Sequence, residues 1–389
     1  MAKKILFAPD TSDHPNWGCR FMGDWYRREL ARLGCAATQR VGSRWFFRPQ
    51  QGVQAPATWA DLQRIAAEVS AGRALEQVAH SLRDCDLVLL NGENFIRPGV
   101  VKGRMLLLLA YLASQVFGKP CVLTNVSLDL AEPALAEMVA KVLPGLAEVH
   151  VREAESGAAY AALVPGAAFA EFPDVGWTAR PRALEDWGPL ARDDGHFSAW
   201  PDVVEGFDPY APYVTLSASS AYVGDDAAAQ AAVPAFVELT RRLQALGQQV
   251  LLVASCEVDA AIMRRVAART GRPLLGLNLP VVQGIDVLAH SRVHLGGRWH
   301  PGIFATTGGT PLVAFGANTH KMRTLMEQLQ PQSPVFDPRR IGEHIDDIVA
   351  QATRQIEAGD GLRDALKAKA AAFAARVDGN LDAVTAAAR

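Results

Sequence analysis

The sequence has no hydrophobic run long enough to cross a membrane. Its longest, residues 105–113, is roughly half of a span and reads as a buried helix. It has no Cys-x-x-Cys and no close pairing among its five cysteines, Cys19, Cys35, Cys85, Cys121 and Cys256. That argues against a disulfide frame or a zinc site and points to free thiols in a reducing compartment. Neither sign of charge is in surplus, with 39 basic against 41 acidic residues and a net charge of -2. Nothing therefore suggests a nucleic-acid binder. No short-period repeat is present, and no cluster of carboxylates asks for a metal. The start, Met1-Ala2-Lys3-Lys4 with a short apolar run into Pro9-Asp10, does not read as a leader. A cytoplasmic protein is expected, with peripheral association at the inner face of the cell membrane left open.

What is present is an alternation. At 389 residues, about half of them apolar, the chain exceeds one ordinary core. Strands are expected at 4–8, 86–90, 121–125 and 148–151, with helices at 20–33, 59–69, 74–82, 102–117 and 132–142. Residues 40–57 carry no clear period and are expected to form a loop. The pattern fades at 172–212, where prolines and tryptophans dominate. It resumes with strands at 213–217, 249–254, 274–277, 293–295 and 312–315 and helices between them. Helices over 322–329, 341–357 and 362–377 close the chain. Strand–helix alternation predicts parallel sheets covered by helices. The expected organisation is residues 1–172, an interdomain segment 173–212, a second domain 213–360, and a C-terminal helix within 361–389. Two such α/β domains facing each other leave a central cleft, each holding one ligand.

The richest stretch is 291–321. A short strand runs into Gly296-Gly297, then Arg298-Trp299-His300, a short helix, Gly308-Gly309, a strand, and Asn318-Thr319-His320-Lys321. Glycines at strand ends let backbone N–H groups approach an anion. Arginine, histidine and lysine add charge and a proton donor. Arg298 has no obvious buried partner in the sequence. The second half is thus expected to hold an anionic donor through Arg298, Lys321, Gly296, Gly297, Gly308 and Gly309. Polar loops at strand ends in the first half offer acceptor contacts: Asn16 and Gly18, Asn91 and Glu93, and Asp174 further on. A turn and helix cap would explain Asn16 and Gly18 equally well.

These pieces together resemble the polysaccharide pyruvyl transferases. Arg298-x-His300, Gly309-Thr310-Pro311 and Lys321 are similar to that family's C-terminal signature. Val151-Arg152-Glu153 with Ser156, the pair Pro173-Asp174, and Asn16-x-Gly18 resemble its other short motifs, in the same order along most of the chain. The sequence departs from the family at Leu90-Asn91-Gly92-Glu93-Asn94, where a richer glycine loop is usual, and at Cys19, where an acidic residue is common. The resemblance implies two facing Rossmann-like domains of the glycosyltransferase-B (GT-B) architecture. It also implies transfer of a pyruvyl group from phosphoenolpyruvate to sugar hydroxyls of a bacterial cell-surface polysaccharide or its lipid-linked precursor. The family's important arginine and histidine fall on Arg152 and His300.

In that chemistry Arg298, Lys321 and Arg152 neutralise phosphate and carboxylate, and His300 protonates the enol carbon. Glu153, Asp174 or Glu93 assists as base, with no cofactor or metal required. A second reading uses the same architecture to transfer a sugar from a nucleotide-activated donor, with His300 on the phosphate. A third is a non-catalytic sugar-binding protein, against which the retained Arg152, Arg298, His300 and Lys321 argue.

Overall fold

The structure is a computed structural model that describes residues 3–35, 39–42, 53–193 and 195–388. The chain divides into two compact units. The N-terminal unit comprises Met1–His14, Cys19–Val175 and Ala375–Arg389; the C-terminal unit comprises Pro15–Gly18 and Gly176–Ala374.

The N-terminal unit is built on six strands: β1 (Ile5–Asp10), β2 (Gln39–Gly42), β3 (Leu87–Ile96), β4 (Cys121–Leu128), β5 (Glu148–Val151) and β6 (Ala170–Glu171). All are parallel, in the order β2-β1-β3-β4-β5-β6. Every residue of β1 and β4 is buried, as an apolar run must be when helices cover both faces. Helix Val101–Tyr111 buries Met105 through Ala110 on such a face and continues into a wider turn, Leu112–Val116. Four consecutive buried leucines at 106–109 are each worth about 2 kcal/mol of burial.

The C-terminal unit repeats the plan with β7 (Tyr213–Ser219), β8 (Gln249–Val253), β9 (Leu274–Leu275), β10 (His294–Gly297), β11 (Leu312–Phe315) and β12 (Val335–Phe336). Its order is β12-β11-β10-β7-β8-β9, again all parallel. The strand order reverses between β1 and β3 in the first sheet and between β7 and β10 in the second. Ligands of open parallel sheets bind outside the carboxyl ends of the strands at such reversal points.

Several expectations change. Gln39–Gly42 is an edge strand, where a loop was expected; residues 43–52 of that span lie outside the described residues. Asn91-Gly92-Glu93-Asn94 is not a loop after the strand but part of β3. The segment 176–212 is no linker but part of the C-terminal unit. It carries helix Leu184–Ala191, and Arg182 clamps it to the buried Asp286 through its backbone N–H at 2.7 Å and its Nε at 2.8 Å. The last helical stretch, expected as one helix, is Gly359–Ala374 in the C-terminal unit, followed by residues that return to the N-terminal one.

Candidate functional site

In the C-terminal unit the reversal point is packed by serines against glycines. A Cβ on Gly296 would come within 2.1 Å of Ser217 Oγ, and one on Gly297 within 2.5 Å of the Ser219 side chain. These two glycines therefore admit the serines of β7. Ser219 Oγ donates to the Gly316 carbonyl, and Ser220 Oγ donates to Asn318 Oδ1 at 3.1 Å while accepting from Asn318 N at 3.3 Å. The loops after β7 and β11 are thereby tied together. The polar run ending β7 is the sequence signal that would have marked Ser219 and Ser220.

Three helices start at the carboxyl ends of β8, β10 and β11: Glu257–Thr270, Trp299–Thr307 and Lys321–Leu329. The positive end of each helix dipole lies at this edge. His300 lies in the first turn of the second helix, and Lys321, 9% exposed, opens the third.

Arg298 does have a buried partner. Its Nε and Nη2 donate to Asp259 Oδ1 at 3.0 and 2.9 Å. Burial works against its charge, but the Asp259 carboxylate outweighs burial and raises its pKa. Asp259 Oδ2 also accepts from Ser255 N and Oγ, and the Ser255 carbonyl accepts from Trp17 N at 3.0 Å. Trp17 is fully buried, and its indole N–H donates to the Leu277 carbonyl at 3.0 Å. Asn16 Oδ1 accepts from Gly18 N at 2.9 Å, capping helix Trp17–Arg32. Asn16 and Gly18, expected on the acceptor side, therefore belong to the C-terminal unit. Gly18 touches His300: a Cβ there would lie 1.9 Å from Nδ1.

Gly308 and Gly309 are not at this edge. They end helix Trp299–Thr307 and precede β11, on the amino-terminal side of the sheet. A Cβ on Gly308 would meet the Ala289 carbonyl at 2.3 Å, and Gly309 takes φ +82 against the Arg363 carbonyl. Arg363 donates to the carbonyls of Ser291, Ala289 and Gly308 at 2.8, 3.0 and 3.2 Å, closing two helix ends. Their role is packing and capping.

In the N-terminal unit Arg152 is buried after β5. It donates to Ser127 Oγ through Nε and to Asp174 Oδ2 through Nη1, each at 2.7 Å. Glu153 is held by Ser127 at 2.9 Å and by Ser156, whose Oγ also accepts from Leu128 N at 2.7 Å. Arg152 and Asp174 are thus brought together as a buried ion pair. At the reversal point between β1 and β3 lies Glu93, 3% exposed, with φ +45. Its carboxylate accepts from Thr11 Oγ1 at 2.8 Å, Asn91 Nδ2 at 3.1 Å and Cys19 Sγ at 2.9 Å. Burial, with the Glu93 carboxylate beside it, pushes the Cys19 thiol well up, so it stays protonated and donates. Cys19 is thus the partner of an acidic residue. All five cysteines are buried free thiols. Among the described residues no helix is long and apolar enough to cross a membrane.

No protein-family model and no curated protein matches the chain. Solved structures do. UDP-GlcNAc 2-epimerase from Neisseria meningitidis, bound to UDP-GlcNAc, is 11% identical with a TM-score of 0.55, over 99% of both chains. A UDP-forming trehalose-phosphate synthase from Burkholderia xenovorans is 13% identical, TM-score 0.53, over 99% of this chain and 97% of its own. Spinosyn rhamnosyltransferase is 13% identical, TM-score 0.53, over 99% of this chain and 100% of its own. At such identities the likeness is one of fold: this is a GT-B-fold protein with two Rossmann-like domains. No pyruvyl transferase is among the structures compared above.

Proposed function

We propose that the protein is a transferase acting on sugars, with a nucleotide-activated sugar as donor and a glycan or lipid-linked oligosaccharide as acceptor. The observation that carries the donor half is the carboxyl edge of the second sheet, where three helices start and two of them carry His300 and Lys321 in their first turns. Helix N-termini at the carboxyl edge of a parallel sheet suit a diphosphate. Phosphoenolpyruvate, with a phosphate and a carboxylate, asks for two or three cations, and both expected arginines already face a buried carboxylate. Arg298 is neutralised by Asp259 and Arg152 by Asp174. A diphosphate asks for fewer cations where helix N-termini face it. The proteins sharing the fold include sugar transferases and a sugar epimerase, which supports the same choice.

Pyruvyl transfer stays as a second reading because of one contact. Gly18 and His300, from two separate pieces of the resembling pattern, meet in the fold.

The test is product release. The purified protein is given UDP-, GDP- and CMP-sugars or phosphoenolpyruvate with a mixture of oligosaccharide acceptors. Release of a nucleoside phosphate that is lost in His300→Ala supports sugar transfer. Release of inorganic phosphate from phosphoenolpyruvate alone overturns it in favour of pyruvyl transfer.

A further inference from the structure

The reversal point of the N-terminal sheet is short of hydrogen-bond donors. The Glu93 carboxylate can accept about four hydrogen bonds. It receives one amide N–H from Asn91 and a weak thiol from Cys19. The remaining donor, Thr11 Oγ1, carries one hydrogen and stands 2.8 Å both from Glu93 Oε1 and from the Cys19 carbonyl. The Oδ1 atoms of Asn91, Asn94 and Asn125 are buried with no hydrogen-bond partner among the described residues. Asn91 and Asn125 are wholly buried, on the neighbouring strands β3 and β4. Glu93 and Asn125 both hold left-handed backbone, at φ +45 and +54. Asparagine tolerates that region, but glutamate there is uncommon, and such backbone gathers at ligand sites.

Glu93 also differs from the other buried carboxylates considered as bases. Asp174 and Glu153 lie against Arg152, whereas Glu93 forms no ion pair among the described residues. Its hydrogen bonds come from Thr11, Cys19 and Asn91.

We propose that this edge, formed by Asn91, Glu93, Asn94 and Asn125, binds a neutral, hydroxyl-rich ligand, the acceptor sugar, with Glu93 accepting from its hydroxyls. The proposal rests on the reading of the protein as a sugar transferase. Hydroxyls supply the missing donors, while a phosphate or carboxylate would add acceptors where acceptors are in excess. A divalent cation is disfavoured, because one carboxylate cannot balance it and the charges of Lys102 and Arg152 act on the adjoining Cys19. Asn94, part-exposed, is the most accessible of the four.

The test uses the full chain with the methyl glycosides of glucose, galactose, mannose and N-acetylglucosamine, read by saturation-transfer NMR. At least one glycoside is expected to bind at millimolar concentration, and Glu93→Gln is expected to weaken it by about tenfold or more, the scale of a lost charged hydrogen bond. The variant's melting temperature should stay close to that of the wild type, because glutamine keeps the shape and one acceptor oxygen of Glu93, and its stabilisation by UDP or GDP should be unchanged. Asn125→Gly, which keeps the left-handed backbone without strain, should weaken the same glycoside. The proposal is overturned if no glycoside binds the wild type or if both variants bind as it does. It is equally overturned if Ca2+ or Mg2+, rather than a glycoside, stabilises the protein in a Glu93-dependent way. Glycoside binding without any nucleotide effect would leave this site standing and remove the nucleotide-sugar reading.

Discussion

Arg298 shows what a single residue discloses and what it hides. Its place after a strand and a glycine pair was legible, but its partner Asp259 lies 39 residues away on another helix, and no local pattern announces that pairing. The arginine that read as a free anion ligand is a buried brace between β10 and the helix after β8. Gly18 shows the opposite case. A short Asn-x-Gly turn could have been a mere cap, and it is one, yet it also lies against His300. A methyl group at 18 would fall 2.3 Å from the imidazole Cγ, so the ring must turn away. Gly18→Ala is therefore expected to keep the fold and lower turnover on the order of 100-fold, the usual cost of misplacing a reacting group by an ångström. Steady-state kinetics beside a thermal melt checks this, and full turnover in that variant would free His300 of its assigned role.

At the scale of elements, long buried strands were readable from their apolar runs, and short edge strands were not. β6 and β12 have two residues each, too few for any period to emerge. Asn91, Glu93 and Asn94 look like a loop after Leu90, yet β3 runs on through them, with Glu93 accepting from Asn91, Thr11 and Cys19. β10 holds a histidine in the core. His294 is 2% exposed, with Nδ1 3.0 Å from Thr215 Oγ1, and burial lowers its pKa to about 3. The folded chain keeps this ring neutral, while the unfolded chain protonates it near its ordinary value of 6.5. Stability is thus full above that value and declines as pH falls toward the folded pKa, by up to about 1.4 kcal/mol per pH unit from this group. Urea midpoints should fall between about pH 7 and about pH 4, with a shallower fall in His294→Gln.

At the scale of the whole molecule, two α/β halves were legible from the alternation, and the crossing of the chain between them was not. Residues 15–18 count with the C-terminal unit because Trp17 is anchored there, and 375–389 count with the N-terminal one. The latter return is fixed by Asn380, wholly buried, which accepts from Thr124 Oγ1 at 2.8 Å and donates to the Pro173 carbonyl at 3.0 Å. A lone asparagine near the end of a chain carries no sequence signal of such a role. Asn380→Ala should cost about 1–3 kcal/mol of stability in equilibrium denaturation, since it leaves a buried hydroxyl and a carbonyl short of partners.

The central claim is that the carboxyl edge of the second sheet holds a nucleotide-linked donor at His300 and Lys321. Ligand-induced melting shifts test it most directly, comparing UDP, GDP, CMP and CDP with phosphoenolpyruvate on the wild type and on Lys321→Ala. A ligand bound only by the folded state raises the melting temperature according to its concentration over its dissociation constant. The account predicts a shift with one nucleotide, reduced in Lys321→Ala, and none with phosphoenolpyruvate. A shift with phosphoenolpyruvate alone would contradict it and establish the pyruvyl donor instead.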